Sequence, residues 1–113
     1  MTGGLNRAAL AAAISALVAG CVNMATPPSR IAGVHVSSLK YEMLDCARLS
    51  VEANYLARRE ILLVAAQEER VANSDMQAYW FRFGQGDGRE AAELAIVRGE
   101  KDAVRQAMAA KRC

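Results

Sequence analysis

The chain has 113 residues and a formal net charge of +2, from 14 Lys or Arg and 12 Asp or Glu residues. This near balance gives no bulk attraction for nucleic acid, so we predict no nucleic-acid partner. Aromatic residues are scarce and alanine is frequent. Because alanine has the highest intrinsic helix propensity, the composition favours helices over a sheet.

The first 20 residues have the layout of a secretory signal. A short segment with one cation, Arg7, precedes residues 8–19, which are apolar except for Ser15. This length suits the apolar region of a signal peptide, whereas a membrane-spanning helix needs about 20 residues. We therefore predict that residues 1–20 are a signal peptide, removed on export.

Residues 17–21, Leu-Val-Ala-Gly-Cys, resemble the lipobox of bacterial lipoproteins. This resemblance implies cleavage between Gly20 and Cys21 and a diacylglycerol on the Cys21 thiol, which would hold the protein on the periplasmic face of a membrane. Val22, where an aspartate would favour the inner membrane, indicates the outer membrane. The alternative is an ordinary signal peptide that is cut later, after Ala25, and leaves no lipid.

Residues 21–38 are predicted to be a lipidated cysteine and a flexible linker that holds the folded part off the membrane. The segment contains Pro27 and Pro28 and shows no helical periodicity. His35, the single histidine, lies in it without a cluster of cysteines or carboxylates. A solvated side chain therefore fits better than a metal ligand or an acid–base group, and we predict neither a metal nor a cofactor.

Residues 39–113 are predicted to be an all-α domain, an antiparallel hairpin of two long helices. Asp45 is a suitable N-cap for a first helix over about residues 46–72. Residues 61–66 are apolar on every side of this helix, more than one partner helix can cover. Its main apolar face, interrupted by Glu60 and Gln67, contains Cys46, Leu49, Ala53, Leu56 and Leu63.

A tip over residues 73–88 is expected to separate the helices. Ser74 and Gln77 resemble a capping box, which predicts a short helical turn over residues 76–83. A similar pair, Asp87 and Glu90, predicts a second helix over about residues 88–111. The apolar face of this helix, interrupted by Lys101, contains Leu94, Val97, Val104 and Met108.

A disulfide between Cys46 and Cys113 is the main covalent stabilisation that we expect in this domain. Three cysteines behind a signal peptide indicate an oxidising compartment, and a lipid on Cys21 leaves the other two as a pair. Antiparallel helices of similar length would place these two at the same end. Such a bond would stabilise the fold by roughly 4 kcal/mol in the chain-entropy model, while the alternative is two free thiols.

Residues 41–113 resemble a family of short, uncharacterised proteobacterial lipoproteins with a two-helix domain. Two cysteines at matching places carry most of the resemblance. The shared patterns are Tyr-x-x-Leu-Asp-Cys-x-x-Leu at 41–49, Gly-Asp-Gly at 86–88, Ala-Ala-Glu-Leu-Ala at 91–95 and Lys-Arg-Cys at 111–113. The resemblance implies a lipobox, two helices and a C-terminal cysteine, but no activity.

The aromatic cluster between the helices has two interpretations. Family members often carry a longer apolar segment with Trp-Pro there, whereas this chain has Tyr79, Trp80, Phe81 and Phe83 around a charged Arg82. The cluster either packs against residues 61–66 and closes the far end of the hairpin, or forms an exposed patch that docks a partner or a bilayer. The first interpretation is favoured, because a small hairpin needs every contact.

We expect no enzyme, because no pairing of a nucleophile with a base is visible. The glycines of residues 84–88 follow no predicted strand and include no lysine, so they indicate a turn and not a phosphate loop. Arg98 and Asp102 are expected to form an exposed pair on one helix face. The leading hypothesis is a lipid-anchored accessory or structural protein that contacts another envelope component; the alternative is a membrane-active or small-ligand-binding module using tip residues 79–83.

Overall fold

A computed structural model describes residues 23–113. The predicted signal peptide, its cleavage between Gly20 and Cys21, and the lipid on Cys21 lie outside the described residues. Within them are two α-helices, α1 (Cys46–Phe81) and α2 (Arg89–Lys111), and two short 3-10 helices, Pro28–Arg30 and Ser38–Tyr41. The described residues contain no strand, and α1 packs against α2. The predicted all-α helical hairpin is therefore confirmed.

Helix α1 begins where the sequence predicted. The Asp45 side chain accepts a hydrogen bond at 2.8 Å from the backbone N–H of Arg48, which satisfies one of the free donors of the first turn. Loss of such a cap typically costs about 1 kcal/mol. The helix start, and with it the position of Cys46, is thus fixed by a local interaction.

Helix α1 is longer than predicted, since it continues through the expected break at residue 73 as far as Phe81. Ser74 does not cap a new helix, because its hydroxyl is buried and accepts a hydrogen bond from the backbone N–H of Ala25. The helix ends at Arg82, which has the left-handed conformation with φ 59° and donates its N–H to the carbonyl of Ala78. The predicted separate turn over residues 76–83 is wrong, because these residues up to Phe81 form the last turns of α1.

The core follows a seven-residue repeat along α1. Leu49 and Leu56 are fully buried and Leu63 nearly so, and together they face Leu94 and other apolar residues of α2. A leucine buried in this way contributes about 1.5–3 kcal/mol relative to an exposed one. The remaining core residues are Tyr41, Val97, Ala103, Val104 and Ala107.

The described part of the predicted linker is not free, but packs along the hairpin. We call residues 23–41 the N-terminal strap; its Ala25 and Tyr41 are buried, and the backbone N–H of Val34 donates to the carbonyl of Ala95 in α2 at 3.0 Å. Gly99 allows this close approach, because a Cβ there would lie 2.0 Å from the Val34 carbonyl oxygen. The strap lacks helical periodicity because it contains only two short 3-10 helices and otherwise has no regular secondary structure, although it belongs to the folded unit.

We predict that Gly99→Ala destabilises the domain, although alanine in a helix is ordinarily about 1 kcal/mol better than glycine. The added methyl group would overlap the Val34 carbonyl and displace the strap from α2. Urea unfolding followed by circular dichroism measures the change. Gln106→Ala, on the exposed side of α2, is the control and should leave stability unchanged or raise it. A gain in stability from Gly99→Ala would show that the strap does not require this contact.

Candidate functional site

The strap begins at the tip of the hairpin, where α1 ends and the chain turns into α2. The Ser74 hydroxyl accepts from the Ala25 N–H at 3.1 Å and lies 3.5 Å from the Asn23 carbonyl oxygen, to which it donates. Gly84 packs directly against this segment, because a Cβ on it would lie 2.6 Å from the same Asn23 oxygen. Gly86 has φ +68° and lies against the Asn23 side chain. The first described residues are therefore held against the loop after α1.

Asp87 is the main polar attachment of the strap. Its carboxylate accepts hydrogen bonds from the Thr26 N–H at 2.7 Å, from the Thr26 hydroxyl at 2.6 Å and from the Gln67 amide at 2.9 Å. Burial alone would raise the pKa of Asp87, but the hydrogen bonds from Thr26 and Gln67 outweigh it and lower that pKa. The predicted capping role is wrong, because Gly88 is the N-cap of α2 and makes no side-chain cap.

Gln67 explains one interruption in the apolar face of α1. The side chain is fully buried, and its amide nitrogen donates both to Asp87 and to the Thr26 carbonyl at 2.8 Å. A buried amide without partners would be costly, so its position depends on the strap and the loop together. The sequence already showed Gln67 as a polar residue on the apolar face of α1. Its partners, Asp87 and Thr26, could be identified only from the fold.

The aromatic patch, defined as Tyr79, Trp80, Phe81 and Phe83, is exposed. Between 57% and 79% of each residue is accessible, and the rings of Tyr79 and Trp80 meet edge to face with centroids 5.1 Å apart. The favoured prediction, that this cluster packs against residues 61–66, is wrong. Residues 61–66 and residues 79–81 lie on one continuous helix, and Leu62 and Trp80 are separated by about 27 Å at 1.5 Å per residue. The interpretation as an exposed patch therefore describes the observed arrangement.

A second apolar surface, the mid-helix patch, consists of Ile61 and Leu62. These residues are 67% and 71% exposed, whereas the adjacent Leu63 faces α2 and is 9% exposed. The prediction that one partner helix cannot cover residues 61–66 is confirmed. The patch lies beside a shallow depression lined partly by Ala57 and Val64.

A charged network crosses the middle of the hairpin. Glu60 of α1 accepts from Arg98 Nε at 2.9 Å and also from Lys101 Nζ. The hydrogen bonds from Lys101 and then Arg98 lower the pKa of Glu60, against the opposing effect of burial. Glu60 and Lys101, which interrupt the apolar faces of their helices, are thus paired with each other.

Arg98 also joins the strap to this network. Its Nη1 donates to the carbonyl of Pro28 at 2.6 Å and to that of Ile31. The predicted exposed pair of Arg98 with Asp102 is wrong, because Asp102 instead lies 3.1 Å from Arg105. Arg98 therefore connects α1, α2 and the strap.

Cys46 and Cys113 form the predicted disulfide at the end opposite the tip, with their Cα atoms 5.5 Å apart. Arg112 has a left-handed conformation with φ 55°, and the Cys113 N–H donates to the Met108 carbonyl at 3.0 Å. This pair of features is a Schellman motif, which satisfies the last carbonyls of a helix and reverses the chain. The reversal turns Cys113 toward the start of α1.

Within residues 23–113, no group of three or more His, Cys, Asp or Glu side chains is placed to hold a metal ion, and His35 is exposed. None of the helices in that range is long and apolar enough to cross a bilayer. Comparison with protein-family models, with curated proteins and with solved structures finds no match for this chain. The resemblance to short lipoproteins therefore stays a sequence-based prediction.

We predict that the charged network makes stability depend on pH in the acid range. The pKa of Glu60 is below its ordinary 4.5, so the ionised form is favoured by folding. This contribution is fully present above about pH 4.5 and is lost as the pH falls through the lower pKa of the folded state. Glu60→Gln should lower stability at pH 7, and its difference from the wild type should shrink as the pH falls below 4.5.

Denaturant unfolding at a series of pH values measures this effect. Glu69→Gln, an exposed carboxylate on the same helix, is the matched control and should leave the pH profile unchanged. A constant difference between Glu60→Gln and wild type across the acid range would assign the effect to packing and not to charge.

We predict that Cys46→Ser with Cys113→Ser lowers the free energy of unfolding by roughly 4 kcal/mol. The loss arises because the bond limits the freedom of the unfolded chain, in the chain-entropy model. Urea unfolding of oxidised wild type and of the double variant measures it. Equal stability of the two proteins would show that the strap and helix packing alone hold the open end together.

Proposed function

We propose that this chain is a non-enzymatic, lipid-anchored protein of the bacterial cell envelope, a structural or accessory element that contacts another envelope component. The signal-like leader and the lipobox-like residues 17–21 support a location on the periplasmic face of a membrane. Val22 favours the outer membrane over the inner membrane. The lipid would be attached through Cys21. The protein partner would be a separate envelope component.

The main observation in favour of the accessory role is the exposed mid-helix patch on α1, a helix that α2 and the strap hold in place. Ile61 and Leu62 project from α1 on the side that α2 does not cover, and both are about two-thirds exposed. Polar groups border the patch, including the Glu60–Lys101 pair and Arg59, which contacts Tyr55 at 3.1 Å. An apolar centre with a polar border is the usual arrangement of a protein–protein contact surface.

The rigidity of the hairpin supports the same role. The disulfide holds the two helices together at one end, and the hydrogen bonds of Asp87 hold the strap and loop at the other. A surface on such a scaffold loses little conformational entropy when a partner binds. The hairpin is therefore suited to present a fixed apolar surface.

The experiment tests anchoring and contact separately. For anchoring, we predict that Cys21→Ser leaves an unprocessed precursor that takes up no labelled palmitate. Processing and membrane association that are unaffected by the substitution would contradict the lipid anchor and favour an ordinary signal peptide.

For contact, a photo-crosslinking residue at position 61 should yield a defined adduct in cell envelopes that Leu62→Glu abolishes. Val51→Glu is the control, since Val51 lies on α1 with a similar exposure of 69%. Loss of the adduct with both variants would point to a general effect of charge on α1. Persistence of the adduct with Leu62→Glu would show that the mid-helix patch is not the contact surface.

A further inference from the structure

The aromatic patch and the beginning of the strap lie at the same end of the molecule. Asn23 is in contact with Gly84 and Gly86, and Gly84 directly follows Phe83 of the patch. The disulfide of Cys46 lies at the opposite end of α1, about 51 Å from Trp80 at 1.5 Å per residue. The N-terminal entry point of the domain is therefore beside its most exposed aromatic residues.

The entry point cannot move away from the patch without breaking several interactions. Ala25 is buried and bonded to Ser74, while Thr26 makes two hydrogen bonds to Asp87 and one to Gln67. Cys21 precedes Asn23 by two residues, which span at most about 7 Å even when fully extended. A lipid on Cys21 would therefore bring the bilayer surface to the tip.

We propose that the aromatic patch lies in the interfacial region of the bilayer that holds the Cys21 lipid, so that the hairpin stands with its disulfide end directed away from the membrane. This inference rests on the proposed function, because it needs the lipid on Cys21. Tyrosine and tryptophan suit the interface between water and hydrocarbon, since each has a large apolar ring and a polar group. The patch is a second attachment beside the acyl chains, and it fixes orientation as well as location.

The geometry favours the bilayer, and not a second copy of the chain, as the partner that covers the aromatic patch. A lipid two residues before Asn23 would hold the patch close to the membrane surface, at a high effective concentration. This effective concentration does not depend on the amount of protein, whereas contact between two copies does. Four exposed aromatic residues and Met76, which is 64% exposed, lie together within residues 76–83 at this end of the hairpin. In this orientation the mid-helix patch lies about 27 Å further from the membrane along α1 and is open to a partner in the periplasm.

Trp80 provides a direct test because it is the single tryptophan of the chain. Mature lipidated protein is reconstituted into vesicles of phosphatidylethanolamine and phosphatidylglycerol, and Trp80 emission is recorded. We expect a blue-shifted emission, protection from aqueous iodide, and quenching by lipids brominated near the headgroup. Phe81→Ser with Phe83→Ser should reduce the blue shift and the protection, whereas Leu62→Ser on the same helix should leave both unchanged.

The outcomes separate this inference from the proposed function. Protein that stays with the vesicles while Trp80 is open to iodide would overturn the orientation and leave the anchor intact. Protein that does not stay with the vesicles would overturn both. Protection that appears only at high protein density would assign the patch to contact between copies and would also overturn the inference. Circular dichroism of each variant shows that the helices are retained.

Discussion

The attachment of the N-terminal strap to Asp87 and Gln67 is the constraint on which the arrangement of the whole molecule depends. Asp87 receives three hydrogen bonds, two of them from Thr26, and the fully buried Gln67 is held between the same groups. Burial of a polar group without a partner is costly, so the hydrogen bonds that the Gln67 amide nitrogen donates join the strap, the loop and α1. Release of Thr26 would leave the Gln67 amide with fewer partners in an apolar interior. The chain therefore enters the domain at the tip.

A two-helix hairpin of this size has a small core, so interactions that close its two ends add to its stability. At the open end, closure is covalent and depends on the left-handed Arg112, which turns Cys113 inward. At the tip, closure is polar and involves the strap. Between them, Arg98 bonds to Glu60 of α1 and to the carbonyls of Pro28 and Ile31. The strap thus acts as a third layer, and this compensates for the limited core between two helices.

The sequence predicted the features that depend on local patterns. The Asp45 cap and the apolar face with Leu49, Leu56 and Leu63 follow from short-range rules, the placing of both cysteines at one end follows from antiparallel packing, and the structure has all three. The predicted end of α1 was wrong, because the sequence pattern at Ser74 is typical of a helix cap. In the structure the Ser74 hydroxyl is instead buried against Ala25, and the helix continues through this residue. Packing of the strap leaves little periodic signal in the sequence, since this irregular segment is held by backbone carbonyl contacts and by its close approach to Gly99.

The candidate site was predictable only in part, for a similar reason. Composition singled out the aromatic residues and residues 61–66, but whether they meet depends on the length of one helix. Once α1 runs unbroken to Phe81, the two groups cannot touch, and the aromatic residues, Ile61 and Leu62 are exposed. The continuous helix also fixes the distance between the aromatic residues and residues 61–66. A flexible tip between two helices would have left this distance variable. One surface therefore lies beside the entry point of the chain and the other is displaced from it along α1, so that the proposed attachment and the proposed partner contact would use different residues.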